Sequence, residues 1–111
     1  MLKNSPMYKK KYFYFFLIFL NLISINVKSD TLFELGKDVF LNKAECSSCH
    51  ALAEAGSSAQ IGPNLNLIKP NKTRVLTAVT NGIGIMPAYQ GYLSEEEIDA
   101  VSYYVSISAS Q

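Results

Sequence analysis

Residues 45–50 read ECSSCH and contain both cysteines and the only histidine of this 111-residue chain. The thiols of Cys46 and Cys49 are three residues apart, a spacing that places both on one face of a helical turn. Two thiols on one face can each form a thioether to a vinyl group of the same porphyrin, and the adjacent His50 is then next to the iron. The C-x-x-C-H spacing therefore predicts covalent haem attachment.

Three other uses of these side chains compete with haem attachment. A redox dithiol of the thioredoxin kind requires a βαβ context, and the sequence has no alternating strand pattern. A structural zinc site requires four ligands, but residues 30–111 contain no further cysteine or histidine. A disulfide between residues three apart closes a very small loop, restrains little and leaves His50 without a role. Haem attachment is the favoured interpretation.

The ligand on the other side of the iron decides whether such a haem binds gases, reacts with peroxide or carries electrons. Met86 is the only methionine in residues 30–111. Two glycines precede it and Pro87 follows it, which indicates an irregular, rigid segment rather than a helical stripe. We expect the Met86 thioether to be the second axial ligand. The alternatives are a lysine, an asparagine or an open position, the candidate side chains being Lys69, Lys72 and Asn64.

The N-terminal region has the layout of a secretory signal peptide. Residues 1–11 carry four lysines and no acid, and residues 12–25 are apolar except for Asn21 and Ser24. This apolar run is shorter than the roughly 20 residues that span a bilayer. We therefore expect residues 1–29 to be a leader cleaved before Asp30, with export to the periplasm or, alternatively, to a thylakoid lumen, and no stable membrane insertion afterwards.

The predicted mature domain, residues 30–111, is small and acidic. It has 82 residues, with five Lys and Arg against nine Asp and Glu, a net charge of −4. This balance argues against nucleic acid or an anionic membrane as a partner. A domain of this size buries only about 60–65% of its unfolded surface and often needs a cofactor or cross-link for stability.

The hydrophobic pattern predicts an all-α domain. A capping box at Thr31–Glu34 predicts the start of a first helix, and a second box at Ser94–Glu97 predicts a helix over residues 95–108. A weaker pattern favours a helix from Asn71 or Thr73 to Thr80. Residues 52–70 are predicted to be loop, and no strand is expected. Gly36, inside the first helix, costs about 1 kcal/mol relative to alanine, so we expect another helix to approach it closely.

At this point the sequence resembles the class I c-type cytochromes. The resemblance rests on GKDVF at 36–40, CSSCH at 46–50, GPNL at 62–65, MPAY at 86–89 and LSEEEIDAVSYYV at 93–105. It implies an all-α monohaem fold in which Gly36 and Phe40 cross Val101 and Tyr104. It also implies a haem site made of Cys46 and Cys49 as thioether residues, His50 as proximal ligand, Met86 as distal ligand and the Pro63 carbonyl as acceptor for His50 Nδ1.

The same resemblance implies an exported, monomeric electron carrier with one haem c and outer-sphere, one-electron transfer. Redox donor and acceptor proteins would dock transiently at the haem edge, which is lined by uncharged residues: Ser47, Ser48, Ala51, Ile83, Ile85, Pro87 and Ala88. Three alternatives remain open: an electron-accepting subunit of an exported dehydrogenase, a haem peroxidase or gas-binding protein, and a redox or structural protein without haem.

Overall fold

The computed structural model describes residues 12–16 and 28–111. The chain divides into two compact units, Met1–Asp30 and Thr31–Gln111. In the first unit, residues 12–16 are helical and exposed. The other calls on the leader fall on residues 1–11 and 17–27, outside the described residues, so its assignment stays a prediction. Within the described ranges, none of the helices has the length and apolar character that crossing a membrane requires.

The helix that leads to the cysteine motif changes its winding before it reaches that motif. Residues 28–38 are α-helical (α1), and Val39–Lys43 continue as one turn of π-helix, closed by a 2.8 Å bond from Ala44 N to Val39 O. The predicted helix start at Thr31 is wrong, because the backbone is already helical at residue 28. A polar residue is a cap only where helical dihedrals begin, and here Thr31 lies inside the helix. The π-turn was not predicted.

Residues between the cysteine motif and the next long helix are not all loop, which corrects the sequence prediction. Two short antiparallel strands, β1 (His50–Leu52) and β2 (Ser57–Gln60), form a hairpin with an irregular register, and a one-turn helix, α2, spans Leu65–Ile68. The Ser57 hydroxyl donates to the His50 carbonyl at 2.8 Å. Strands of three and four residues are too short to show a period of two in the sequence.

Two further helices lie close to their predicted positions, and each begins with a side-chain cap. Helix α3 spans Lys72–Asn81, and the Asn71 side chain accepts a bond from Arg74 N at 2.8 Å. Helix α4 spans Glu95–Ser108 and opens with the predicted capping box, in which Glu97 N donates to Ser94 Oγ at 3.1 Å and Ser94 N donates to Glu97 Oε2 at 2.8 Å. The predicted bounds of α4 and the predicted all-α class are confirmed.

Helices α1 and α4 meet at Gly36, as its position in mid-helix predicted. A Cβ on Gly36 would collide with the Ala100 carbonyl oxygen and would lie 2.5 Å from Tyr104 Cβ. The ring of Tyr104 is fully buried and packs edge-on against Phe33, with centroids 4.9 Å apart, and at a tilt against Phe40. The glycine therefore allows the backbones of the two helices to approach within contact distance.

A polar network joins the helix crossing to the segment that follows the cysteine motif. The Tyr104 hydroxyl donates to Glu54, and Lys37 Nζ lies 2.7 Å from the other carboxylate oxygen of Glu54. Burial acts to raise the pKa of Glu54, but the bonds from Lys37 and Tyr104 outweigh burial and lower that pKa below its ordinary value. Glu54 thus stays ionised and ties the end of the β1 segment to both terminal helices.

Candidate haem-binding site

The cysteine motif forms a tight turn directly after the π-helical turn. Cys46–Ser48 are 3₁₀-helical, and Cys49 N donates to Cys46 O at 3.1 Å. The Glu45 carbonyl closes the turn by accepting from Ser48 N at 3.0 Å and from Ser48 Oγ at 2.6 Å. Because residues i and i+3 are eclipsed in a 3₁₀-helix, the turn brings the side chains of Cys46 and Cys49 to one face.

No disulfide joins Cys46 and Cys49, and the environment of Cys46 is not that of a redox cysteine. Burial raises the pKa of Cys46 to about 11, because a thiolate at this position would lose its hydration. Reactive redox cysteines have lowered pKa values that favour the thiolate. At neutral pH burial therefore keeps Cys46 in the neutral thiol form.

The His50 ring is held in one orientation. Its Nδ1 lies 2.8 Å from the Pro63 carbonyl oxygen, so the ring donates there and leaves the Nε2 lone pair for a metal. This is the contact that the family resemblance implied.

Gly62 makes that orientation possible and was missed in the sequence. A Cβ at this position would lie 2.6 Å from His50 Cε1, and Gly62 N donates to Cys49 O at 2.7 Å. The only sequence signal for this role was the glycine that precedes Pro63.

Met86 lies in a turn whose backbone is closely restrained. Ile83 N donates to Met86 O at 3.1 Å, and Met86 N donates to Ile83 O at 2.9 Å. Gly82 has a φ of 73°, and a Cβ there would lie 2.7 Å from Met86 O. The Met86 side chain is half-buried and packs against the core. Gly82 thus allows the backbone to fold back closely against the main chain of Met86.

Two of the alternative ligands are engaged elsewhere. The Asn64 side chain caps α2 by accepting from Leu67 N at 3.3 Å. The Lys72 ammonium lies 2.7 Å from Asp99 Oδ1. Lys69 is exposed and ends α2 with a positive φ of 44°. The thioether of Met86 is thus the remaining candidate that packs against the core.

The side chains described above fit a covalently attached haem. Two free thiols share one face of a turn, the next residue is an imidazole with one nitrogen committed to a carbonyl, and the one methionine among residues 28–111 is a soft, neutral donor. When bound, the haem supplies one-electron chemistry at its iron, and the protein supplies the attachment, the axial donors and the orientation of His50.

Known proteins share both the sequence pattern and the fold. Residues 33–105 match the family described as Cytochrome C oxidase, cbb3-type, subunit III. Cytochrome c6 of Microcystis aeruginosa is 38% identical over 78 residues, which are 67% of this chain and 94% of that protein. Cytochrome c6 of Petalonia fascia is 40% identical over 84 residues, 68% of this chain and 91% of that protein.

A solved structure of a c-type cytochrome is also similar to this chain in sequence and fold. The c-type cytochrome SorU from Sinorhizobium meliloti has 48% sequence identity and a TM-score of 0.68, and the match covers 72% of this chain and 93% of that one. The predicted resemblance and the predicted covalent cofactor are confirmed. The relatives named cytochrome c6 are electron-transfer proteins rather than enzymes. This chain therefore belongs to the c-type cytochrome family that the matching model describes, and it carries one haem c attached at Cys46 and Cys49.

Proposed function

We propose that this chain is an exported carrier of single electrons whose haem iron is held by His50 and Met86 in both redox states. The observation that carries the proposal is the orientation of His50, because Nδ1 lies 2.8 Å from the Pro63 carbonyl oxygen and only Nε2 remains as a ligand. A bond from Nδ1–H to a carbonyl fixes the imidazole ring and raises its basicity. A thioether as the second ligand favours the ferrous state and raises the reduction potential.

The chain's own residues serve this role by restraining both axial donors. Gly62 packs against the His50 ring, and the paired bonds between Ile83 and Met86 hold the opposite segment. Rigid donors keep the same coordination through the redox cycle, so little reorganisation accompanies each electron transfer. This is what a carrier requires and what an enzyme with an open iron position would lack.

Export is part of the proposal. It rests on the basic and apolar residues 1–29, and the boundary between the two compact units falls after Asp30, next to the proposed cleavage site. We propose the periplasm as the compartment, with a thylakoid lumen as the alternative, and a monomeric mature domain.

Carbon monoxide tests the ligation directly. We expect the reduced wild-type protein at neutral pH to leave its visible spectrum unchanged when carbon monoxide is added, because the Met86 thioether occupies the sixth position. The same protein in guanidinium should bind the gas and so provides the positive control. Ready binding by the folded protein would show that Met86 is not a stable ligand, and the peroxidase or gas-binding alternative would then move ahead.

We further propose that partner proteins dock on an apolar rim beside the methionine segment. Ile83 and Ile85 are 66% and 90% exposed, and Pro87 and Ala88 are exposed as well. The next acidic run along the chain begins at Glu95, where Glu97 already caps α4 and pairs with Lys43. Small, weakly bound interfaces are typical of electron-transfer pairs.

Salt dependence separates the apolar rim from the acidic helix start as the docking site. We expect the association rate with the physiological acceptor to change by less than ~10-fold between low and physiological ionic strength. Ile85→Asp should slow transfer more than Glu96→Gln, because it places a charge within the apolar rim, whereas Glu96 is exposed at the start of α4. Stopped-flow oxidation across a salt series measures both. A steep salt dependence that disappears in Glu96→Gln would assign docking to the acidic helix start instead.

A further inference from the structure

Two tyrosine hydroxyls join the methionine segment to the end of the π-helical turn that leads into the cysteine motif. The Tyr89 hydroxyl donates to the Ala44 carbonyl at 3.2 Å, and the Tyr92 hydroxyl donates to the Lys43 carbonyl at 3.2 Å. The first contact joins residues that are 45 positions apart in the chain, and the second joins residues that are 49 positions apart. Carbonyl groups at a helix C-terminus lack donors within the helix, so the two hydroxyls satisfy acceptors that the end of the turn leaves open.

The tyrosine pair is also fixed at its own backbone. Tyr89 N donates to Val79 O at 2.8 Å, near the end of α3, and Leu93 N donates to Tyr89 O at 2.9 Å. The rings of Tyr89 and Tyr92 lie 6.1 Å apart, and the Tyr89 ring packs against the core. Tyr89 thus holds the chain three residues after Met86 by its amide on one side and by its hydroxyl on the other.

We propose that Tyr89, assisted by Tyr92, is a positioning residue for the Met86 ligand. Ala44 is two residues before Cys46 and Tyr89 is three residues after Met86, so the bond between them ties the attachment turn to the methionine segment through the protein alone. The segment is then held in place without relying on the bond between Met86 and the iron. This inference rests on the proposed ligation by Met86, and it deepens that proposal by naming what keeps the thioether from leaving.

The role of Tyr92 is the smaller of the two. Its side chain is 66% exposed, so water competes for the Lys43 carbonyl. The hydrogen bond therefore stabilises the methionine segment less than a bond shielded from water would. The Tyr89 bond lies against the core, where its loss leaves the Ala44 carbonyl less well satisfied. A change confined to the hydroxyl, tyrosine to phenylalanine, removes each bond and keeps the ring packing.

The rate at which Met86 is displaced measures the effect. Ferric holoprotein is mixed with excess imidazole, and the rate that saturates with imidazole concentration reports the opening of the methionine segment. We expect Tyr89→Phe to raise this limiting rate about fivefold and Tyr92→Phe about twofold, the size of one net hydrogen bond and of a solvent-exposed one. Tyr104→Phe is the matched control, because its hydroxyl bonds Glu54 at the helix crossing; it should lower the unfolding midpoint and leave the limiting rate within twofold of wild type.

Hydrogen exchange of the Ile83 and Met86 amides provides a readout that does not involve the iron. Both amides should lose protection in Tyr89→Phe and keep it in Tyr104→Phe. The inference is overturned if Tyr89→Phe leaves the limiting rate and the amide protection at wild-type values, or if Tyr104→Phe changes both to the same extent. Carbon monoxide binding by the reduced, folded wild-type protein would instead overturn the ligation by Met86, and the amide protection alone would then decide whether the bonds of Tyr89 and Tyr92 hold the methionine segment.

Discussion

Replacing both Cys46 and Cys49 by alanine is expected to give a chain without covalent haem that does not fold. These are the only two thiols in the sequence, so no other residue can form a thioether. The compact unit Thr31–Gln111 has a core with few large, fully buried side chains, chiefly Tyr104, Phe40 and Leu52. A domain of this size is only marginally stable without a cofactor that binds the folded state alone. We therefore expect the loss of haem and the loss of helical structure to occur together.

A haem stain after denaturing electrophoresis, combined with circular dichroism of the purified protein, tests this expectation. Ser47→Ala is the matched control, because it changes the same turn and keeps both thiols and their spacing. A double alanine variant that is red, folded and stained after denaturation would contradict covalent attachment at these residues. A variant that folds normally without haem would contradict only the dependence of folding on the cofactor.

Replacing Met86 by alanine is expected to open the sixth iron position. The reduced variant should bind carbon monoxide, and its reduction potential should fall by more than about 100 mV, a fraction of the ~0.8 V range over which axial ligands set haem potentials. The direction follows from the loss of a soft, neutral donor that favours ferrous iron. The backbone should keep its turn, since the bonds between Ile83 and Met86 involve only main-chain atoms.

Two companion variants separate ligation from packing. Met86→Leu keeps a side chain of similar volume and removes the sulfur, so it should bind carbon monoxide as Met86→Ala does. Met86→His supplies another donor, so it should exclude the gas and still lower the potential. A redox titration of all three proteins with carbon monoxide difference spectra checks these expectations. Wild-type potential and unchanged gas binding in Met86→Leu would mean that Met86 only fills the core.

The sequence determined the chemistry of the site, because that chemistry depends on residue types at short spacing. The motif from Cys46 to His50 fixes two thiols and an imidazole within one turn, and Met86 is the sole methionine of the domain. The start of α4 could also be predicted from the sequence, since Ser94 and Glu97 bond each other within a single turn. In these cases the interacting groups are close in the chain, so the local sequence is enough to predict the interaction.

Only the tertiary structure decided the features that join distant segments. The π-turn over Val39–Lys43, the short hairpin and the contact between Gly62 and the His50 ring depend on where neighbouring elements lie, and no local period encodes them. The bonds of Tyr89 and Tyr92 to carbonyls 45 and 49 residues away are of the same kind. A tyrosine in a sequence indicates that a ring and a hydroxyl are present. Which carbonyl accepts the hydrogen bond from that hydroxyl is fixed only when the folded backbone brings an open acceptor within reach, 3.2 Å for Tyr89 and Ala44.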